Sequence, residues 1–239
     1  MILILYKVLA RFSWLQFFVK IFFYLAQSLS FDIAHSTNTC RRRKFDAQYK
    51  ASNPNDIYYV AVNTDIFLDA VKRGYQFIVD MGLCPSSFQF VDLGAGKGKS
   101  LLLLLLKFRD HLSQYSALGI DISKSLLDQA YSNIQLIQFD APVKLINADA
   151  SHCFESVESD NLILYAYNPF GPSVLERVIE GLHRASHILF IYIEPSNSDT
   201  LYRLGFTRIY HRKKRSFETK AREFALFYRP PANGRTEFV

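Results

Sequence analysis

The stretch that most constrains this chain is Phe88-Gln89-Phe90-Val91-Asp92-Leu93-Gly94-Ala95-Gly96-Lys97-Gly98-Lys99-Ser100, which runs directly into six leucines. An apolar run ends at an acid, turns through three alternate glycines and enters a strongly apolar segment. That succession reads as a strand, a ligand-facing turn and a helix N-terminus in an α/β sheet. Glycines at 94, 96 and 98 can adopt positive φ and let a ligand approach the backbone closely. The free N–H groups that open the next helix can donate to that ligand. A glycine turn that holds nothing is the plainer alternative for the loop taken alone.

The spacing sorts the loop among known turn types. A phosphate-binding P-loop needs Gly-x-x-x-x-Gly-Lys-Ser. Gly98-Lys99-Ser100 supplies its end, but the first glycine would fall on Leu93. A dinucleotide fingerprint needs Gly-x-Gly-x-x-Gly, and its third glycine would fall on Lys99. What stands here is Gly-x-Gly-x-Gly behind Val91-Asp92-Leu93.

Downstream, apolar runs alternate with helix-sized segments. Phe88–Leu93, Ala117–Ile122, Val143–Asp149, Asn161–Tyr167 and His187–Ile193 read as five strands. Helices are expected over Lys99–Phe108, about Ser123–Asn133 and about Ser173–Ala185. Strands that are apolar at nearly every position belong to a parallel sheet covered on both faces. The end of the chain differs: a short helix over Asp199–Leu204 stops at Gly205, and Arg208–Lys213 and Glu223–Tyr228 read as two strands joined by a basic loop. Upstream, apolar residues recur at helical spacing from Thr64 to Met81, ended by Gly82 and Pro85. This helix is expected beside the sheet, helping to cover the ligand pocket.

The 239 residues are 49% hydrophobic, enough for one large core and against general disorder. The division expected is an apolar N-terminal segment and basic linker (1–45), a helical cover (46–87), the ligand-binding domain (88–230) and a tail (231–239). Residues 1–30 are rich in aromatic and aliphatic side chains, but Lys7, Arg11 and Lys20 interrupt them, so a clean transmembrane helix is not supported. A membrane-associating helix or signal anchor ranks first, a helix packed on the domain or on a second subunit next, and a mispredicted translation start third. Arg41-Arg42-Arg43-Lys44 reads as a solvated linker or as a basic flank on anionic lipid. Three scattered cysteines suggest a reducing compartment without a disulfide framework. The location expected is cytoplasmic, with attachment to the inner face of the membrane left open. The formal charge of +6 favours acidic partners without naming one. Arg208–Arg222 holds seven basic residues against Glu218, which reads as a solvated hairpin before it reads as an acidic-ligand patch. A base-stacking platform is missing, so nucleic acid is not indicated. Six histidines lack ligand spacing, and no metal is assigned.

Taken together, residues 88 to about 229 resemble the class I S-adenosylmethionine (SAM)-dependent methyltransferases, nearest to small bacterial members of unknown substrate. The resemblance implies a doubly wound, mainly parallel, seven-stranded Rossmann-like α/β sheet with a C-terminal antiparallel hairpin. It implies SAM as cofactor, with Asp92, Gly94, Ala95, Gly96 and Gly98 wrapping its methionine part. Asp121, with Ile122 beside it, would accept hydrogen bonds from the ribose hydroxyls; a carboxylate suits that because it offers acceptors only. An acid about 20 residues past the loop also satisfies the dinucleotide rule, so Asp121 alone does not separate SAM from a nicotinamide cofactor. Asp149 would face the adenine amino group and Ala150 the ring, against the plainer reading of Asp149 as a turn or helix cap. Asn168-Pro169-Phe170 would face the methyl acceptor, and Asn168 the cofactor as well. This segment is similar to the Asn-Pro-Pro-Tyr/Phe motif of enzymes acting on planar nitrogens, without its second proline, and more distantly to a loop of the Dot1-like lysine methyltransferases. A plain strand-to-helix turn is its other reading.

The function expected is methyl transfer from SAM to an unidentified acceptor, with a protein lysine or another amine nitrogen as one form of it. A non-catalytic SAM-binding or membrane-tethered interaction protein is the alternative from another class. A nicotinamide-dependent oxidoreductase is disfavoured by the glycine spacing and the terminal hairpin. No general base is fixed by the residues alone.

Overall fold

The computed structural model describes residues 29–40, 60–111, 117–137, 143–152, 154–168, 170–214 and 222–231. Most of the apolar N-terminal segment (1–28), the Arg41–Lys44 run, Pro169, the turn of the basic hairpin and the end of the tail lie outside the described residues. Among the described residues, no helix is long and apolar enough to cross a membrane.

Seven strands form one sheet: β1 (Gln89–Leu93), β2 (Ala117–Asp121), β3 (Val143–Asn147), β4 (Asn161–Tyr167), β5 (His187–Ile193), β6 (Thr207–Arg212) and β7 (Phe224–Arg229). Their order is β3-β2-β1-β4-β5-β7-β6. The first five are parallel, and β7 inserts antiparallel between β5 and β6. The expected doubly wound sheet with its closing antiparallel hairpin is therefore present. Boundaries shift modestly: β3 stops at Asn147, two residues early, and α4 (Pro172–Gly181) ends before Ala185. Between β3 and β4 the chain makes two single 3₁₀ turns, Ala150–His152 and Phe154–Ser156.

Period-two alternation divides the core between the two faces. In β4, Ile163 and Tyr165 join one cluster, while Leu162, Leu164 and Ala166 join the other. The first cluster is closed by α1 (Thr64–Asp80) and α2 (Lys99–Lys107), with Leu127 of α3 (Lys124–Leu136). The second is closed by α4 and α5 (Ser198–Arg203). A helix apolar all round must be buried all round, and Leu101 to Leu105 of α2 are at most 1% exposed. Each such leucine contributes roughly 1.5–3 kcal/mol of gross burial, so α2 is anchored firmly behind the glycine loop. At the sheet's edges burial falls off, and Lys144, Arg208 and Arg212 sit on β3 and β6. Charged edge strands resist pairing with another chain.

Candidate functional site

The loop after β1 takes the shape its glycines allow. Gly94, Gly96 and Gly98 have φ of 91°, 54° and 76°. Gly94 and Ala95 donate their N–H groups to the Ile120 carbonyl at 2.9 Å, tying the loop to β2. Gly98 then caps α2, where an added Cβ would stand 3.1 Å from that of Ala130.

Asp121 holds the loop from the next strand. Its Oδ2 accepts the Gly96 N–H and its Oδ1 the Ser123 N–H, both at 2.8 Å. Burial pushes its carboxyl up, and the two backbone donors pull against that. Asn147 Nδ2 donates to the carbonyls of Asp121 and Ile122, fixing the end of β2, and Ile122 is exposed beside it. Asp92 is 1% exposed and accepts the Ser100 hydroxyl. Burial raises its carboxyl to about 7, the Ser100 bond opposes this, and Asp121 adds to it.

In front of these residues lies a cleft of about 260 Å³ of empty space, its open mouth included. It sits beyond the carboxyl ends of β1 and β4, where the strand order reverses. That reversal is where open α/β sheets bind ligands. Of the residues picked from sequence, Asp92, Gly94 and Ala95 line the cleft. The rest of its wall comes from Val60, Ala61, Val62, Lys99, Ser100, Tyr165 and Tyr167. Reading the chain in order missed Val60–Val62, because nothing local marks an extended segment as the lid of a distant loop. Lys99 did carry a signal: a lysine at the first position of a helix opposes the helix dipole.

Gly96, Gly98, Asp121, Ile122, Asp149, Ala150, Asn168 and Phe170 stand outside that wall. Asp149 caps a turn: its Oδ1 accepts the Ser151 N–H at 2.8 Å and the Ser151 hydroxyl at 2.7 Å, and these bonds hold its carboxyl low against partial burial. Ala150 is buried against the second core cluster. Phe170 packs against that cluster as well. Asn168 has φ of 39°, and its Oδ1 accepts hydroxyls from Tyr192 at 3.0 Å and Ser196 at 2.6 Å. Asn197 Nδ2 ties the same loop through the Phe170 carbonyl and the Tyr192 hydroxyl. On the adjoining strand end Glu194 also has positive φ, 52°, and accepts the Tyr167 hydroxyl at 3.2 Å. Two non-glycine residues in the left-handed region at neighbouring strand ends are strained, and such strain gathers at functional sites.

No family model matches the chain, and no curated protein matches it in sequence. Solved structures match its fold. A point mutant of MtNAS in complex with S-adenosylmethionine superposes with a TM-score of 0.50 at 15% identity, over 93% of this chain and 80% of that one. An rRNA methylase from Streptococcus thermophilus gives 0.49 at 14% identity, over 68% and 96% of the two chains. A ribosomal protein L11 methylase from Lactobacillus delbrueckii subsp. bulgaricus gives 0.47 at 16%, over 70% and 78%. At these identities the likeness is one of architecture.

Proposed function

We propose that this chain, whose fold is that of the class I SAM-dependent methyltransferases, moves a methyl group from SAM to an acceptor that includes an amine nitrogen, a protein lysine being one form. The observation that carries this reading is the cleft at the switch point of the sheet. There a positive-φ glycine loop meets a buried carboxyl, Asp92, and a buried amine, Lys99. The residues fit the cofactor's amino-acid end chemically: backbone open to close approach on one side, and on the other a buried amine beside a carboxyl that burial holds toward its protonated form. Asp121 fixes the loop through Gly96, and Ile122 offers an exposed apolar side chain for a base or sugar face.

When bound, SAM supplies a methyl carbon already activated by its sulfonium. The chain's task is then to hold, orient and exclude water, and such positioning accounts for much of the gain in group transfer. Asn168, locked by Tyr192 and Ser196, has both lone pairs of its carbonyl oxygen engaged, which leaves its Nδ2 group to face a partner. An amine acceptor must lose a proton, and Glu194 reaches the cleft wall through Tyr167. The Tyr167–Glu194 pair is the proton acceptor in this reading.

Incubation of the protein with methyl-labelled SAM and native cell extract tests the proposal. Label should enter a defined class of acceptor, sorted as protein, nucleic acid, lipid or small molecule. Calorimetry with SAM and NAD in parallel should show binding of SAM alone. Absence of SAM binding would refute it.

A further inference from the structure

Lys99 is a cation in the wrong place for structure alone. It opens α2, at the positive end of the helix dipole, where an ammonium is disfavoured. Its side chain is 2% exposed, and Nζ has no hydrogen-bond partner among the described residues. The Phe31 ring lies 5.2 Å away, which supplies a π face and no acceptor.

The acidic groups that act on Lys99 are Cys40, Asp32 and Asp65. Both carboxylates are committed elsewhere. Asp32 accepts the hydroxyls of Thr37 and Thr39 and the backbone N–H groups of Thr39 and Cys40. Asp65 pairs with Arg222. Burial accordingly depresses the Lys99 ammonium. A buried charged group without a partner is costly, and native proteins retain one where a ligand completes it. Lys99 also lines the cleft, and the carboxyl beside it in that wall, Asp92, is engaged by Ser100 and pushed by burial toward its protonated form. The amine is therefore left to complement an anionic group of the ligand.

We propose that Lys99 Nζ receives the carboxylate of the ligand's amino-acid end, and so sets the preference for SAM over adenine nucleosides that lack that carboxylate. This rests on the SAM-binding reading above. A charge-assisted bond of this kind in a dry site corresponds to about 10- to 100-fold in affinity.

The test is calorimetric titration of the full chain with SAM, decarboxylated SAM and 5′-methylthioadenosine. The wild-type protein should bind SAM about 10- to 100-fold more tightly than decarboxylated SAM, which keeps the sulfonium and the amine. Lys99→Met should weaken SAM by that factor and leave decarboxylated SAM and methylthioadenosine within about threefold of wild type. A parallel loss for all three ligands, or unchanged SAM affinity, would overturn the assignment. Should Lys99→Met fail to fold, the wild-type comparison decides: equal affinities for SAM and its decarboxylated form overturn the carboxylate site while leaving SAM binding intact. If neither binds, both this inference and the methyl-transfer reading fall.

Discussion

Asp92→Asn should uncouple the stability of this protein from pH near neutrality. Asp92 lies at the end of β1, is 1% exposed, and has its carboxyl raised from 3.8 to about 7, chiefly by burial. The folded state therefore holds a proton that the unfolded chain releases at a lower pH. A group raised in the folded state stabilises fully below its unfolded pKa, and that stability is lost as pH rises through the folded value. At 1.36 kcal/mol per pKa unit the gap has an upper bound of about 4 kcal/mol. Roughly 2–3 kcal/mol of it falls between pH 5 and pH 8.5. Asparagine keeps the volume and can still accept the Ser100 hydroxyl, but it does not ionise. Urea and thermal unfolding of both proteins across pH 5 to 8.5 should show the wild type losing stability relative to the variant as pH rises, with a Tm gap in the thermal melts of up to roughly 10 °C at the alkaline end. Asp121 is also raised by burial, but it is present in both proteins and largely cancels in the difference. Parallel pH profiles would refute the claim that Asp92 is kept protonated by its surroundings.

Three further substitutions probe the site and its support. Asp121→Ala leaves the Gly96 and Ser123 N–H groups without their acceptor; it should cost about 2–4 kcal/mol in denaturant unfolding and weaken SAM binding at least about tenfold, and retained SAM affinity in a folded variant would remove Asp121 from the site. Gly119→Ala places a methyl 2.6 Å from Leu101 Cδ1, 2.8 Å from Leu145 Cδ2 and 3.1 Å from Ala95 Cβ. It should destabilise by about 1–3 kcal/mol through overpacking, and an unshifted unfolding midpoint would show that the strand has room to spare. Tyr192→Phe removes one of the two hydroxyls that hold Asn168 and one of the two acceptors of Asn197 Nδ2. Methyl transfer measured with labelled SAM should fall about tenfold for a stability loss of about 1 kcal/mol; an unchanged rate would mean that the Asn168 conformation is idle.

The layers of this protein and the character of its loop are legible in local residue patterning alone. Apolar runs at strand length, separated by helix-sized segments, leave no solution but a sheet covered on both faces, and glycines at 94, 96 and 98 specify a turn through positive φ. Both follow from interactions among residues close in the chain: side-chain periodicity, backbone sterics and the drive to bury a leucine run. Which residues meet in the cleft was decided only by tertiary structure. Val60–Val62 reach it from before α1, and Tyr165 and Tyr167 from β4. Asp121 spends both carboxylate oxygens on backbone donors, one of them 25 residues upstream, and Asn168 is locked by hydroxyls 24 and 28 residues downstream. The isolation of Lys99 is of the same kind. A lysine beside leucines looks like a helix terminus in water until the fold buries it and brings the Phe31 ring to 5.2 Å, for burial and hydrogen-bond satisfaction belong to the folded surroundings and leave no trace in local spacing.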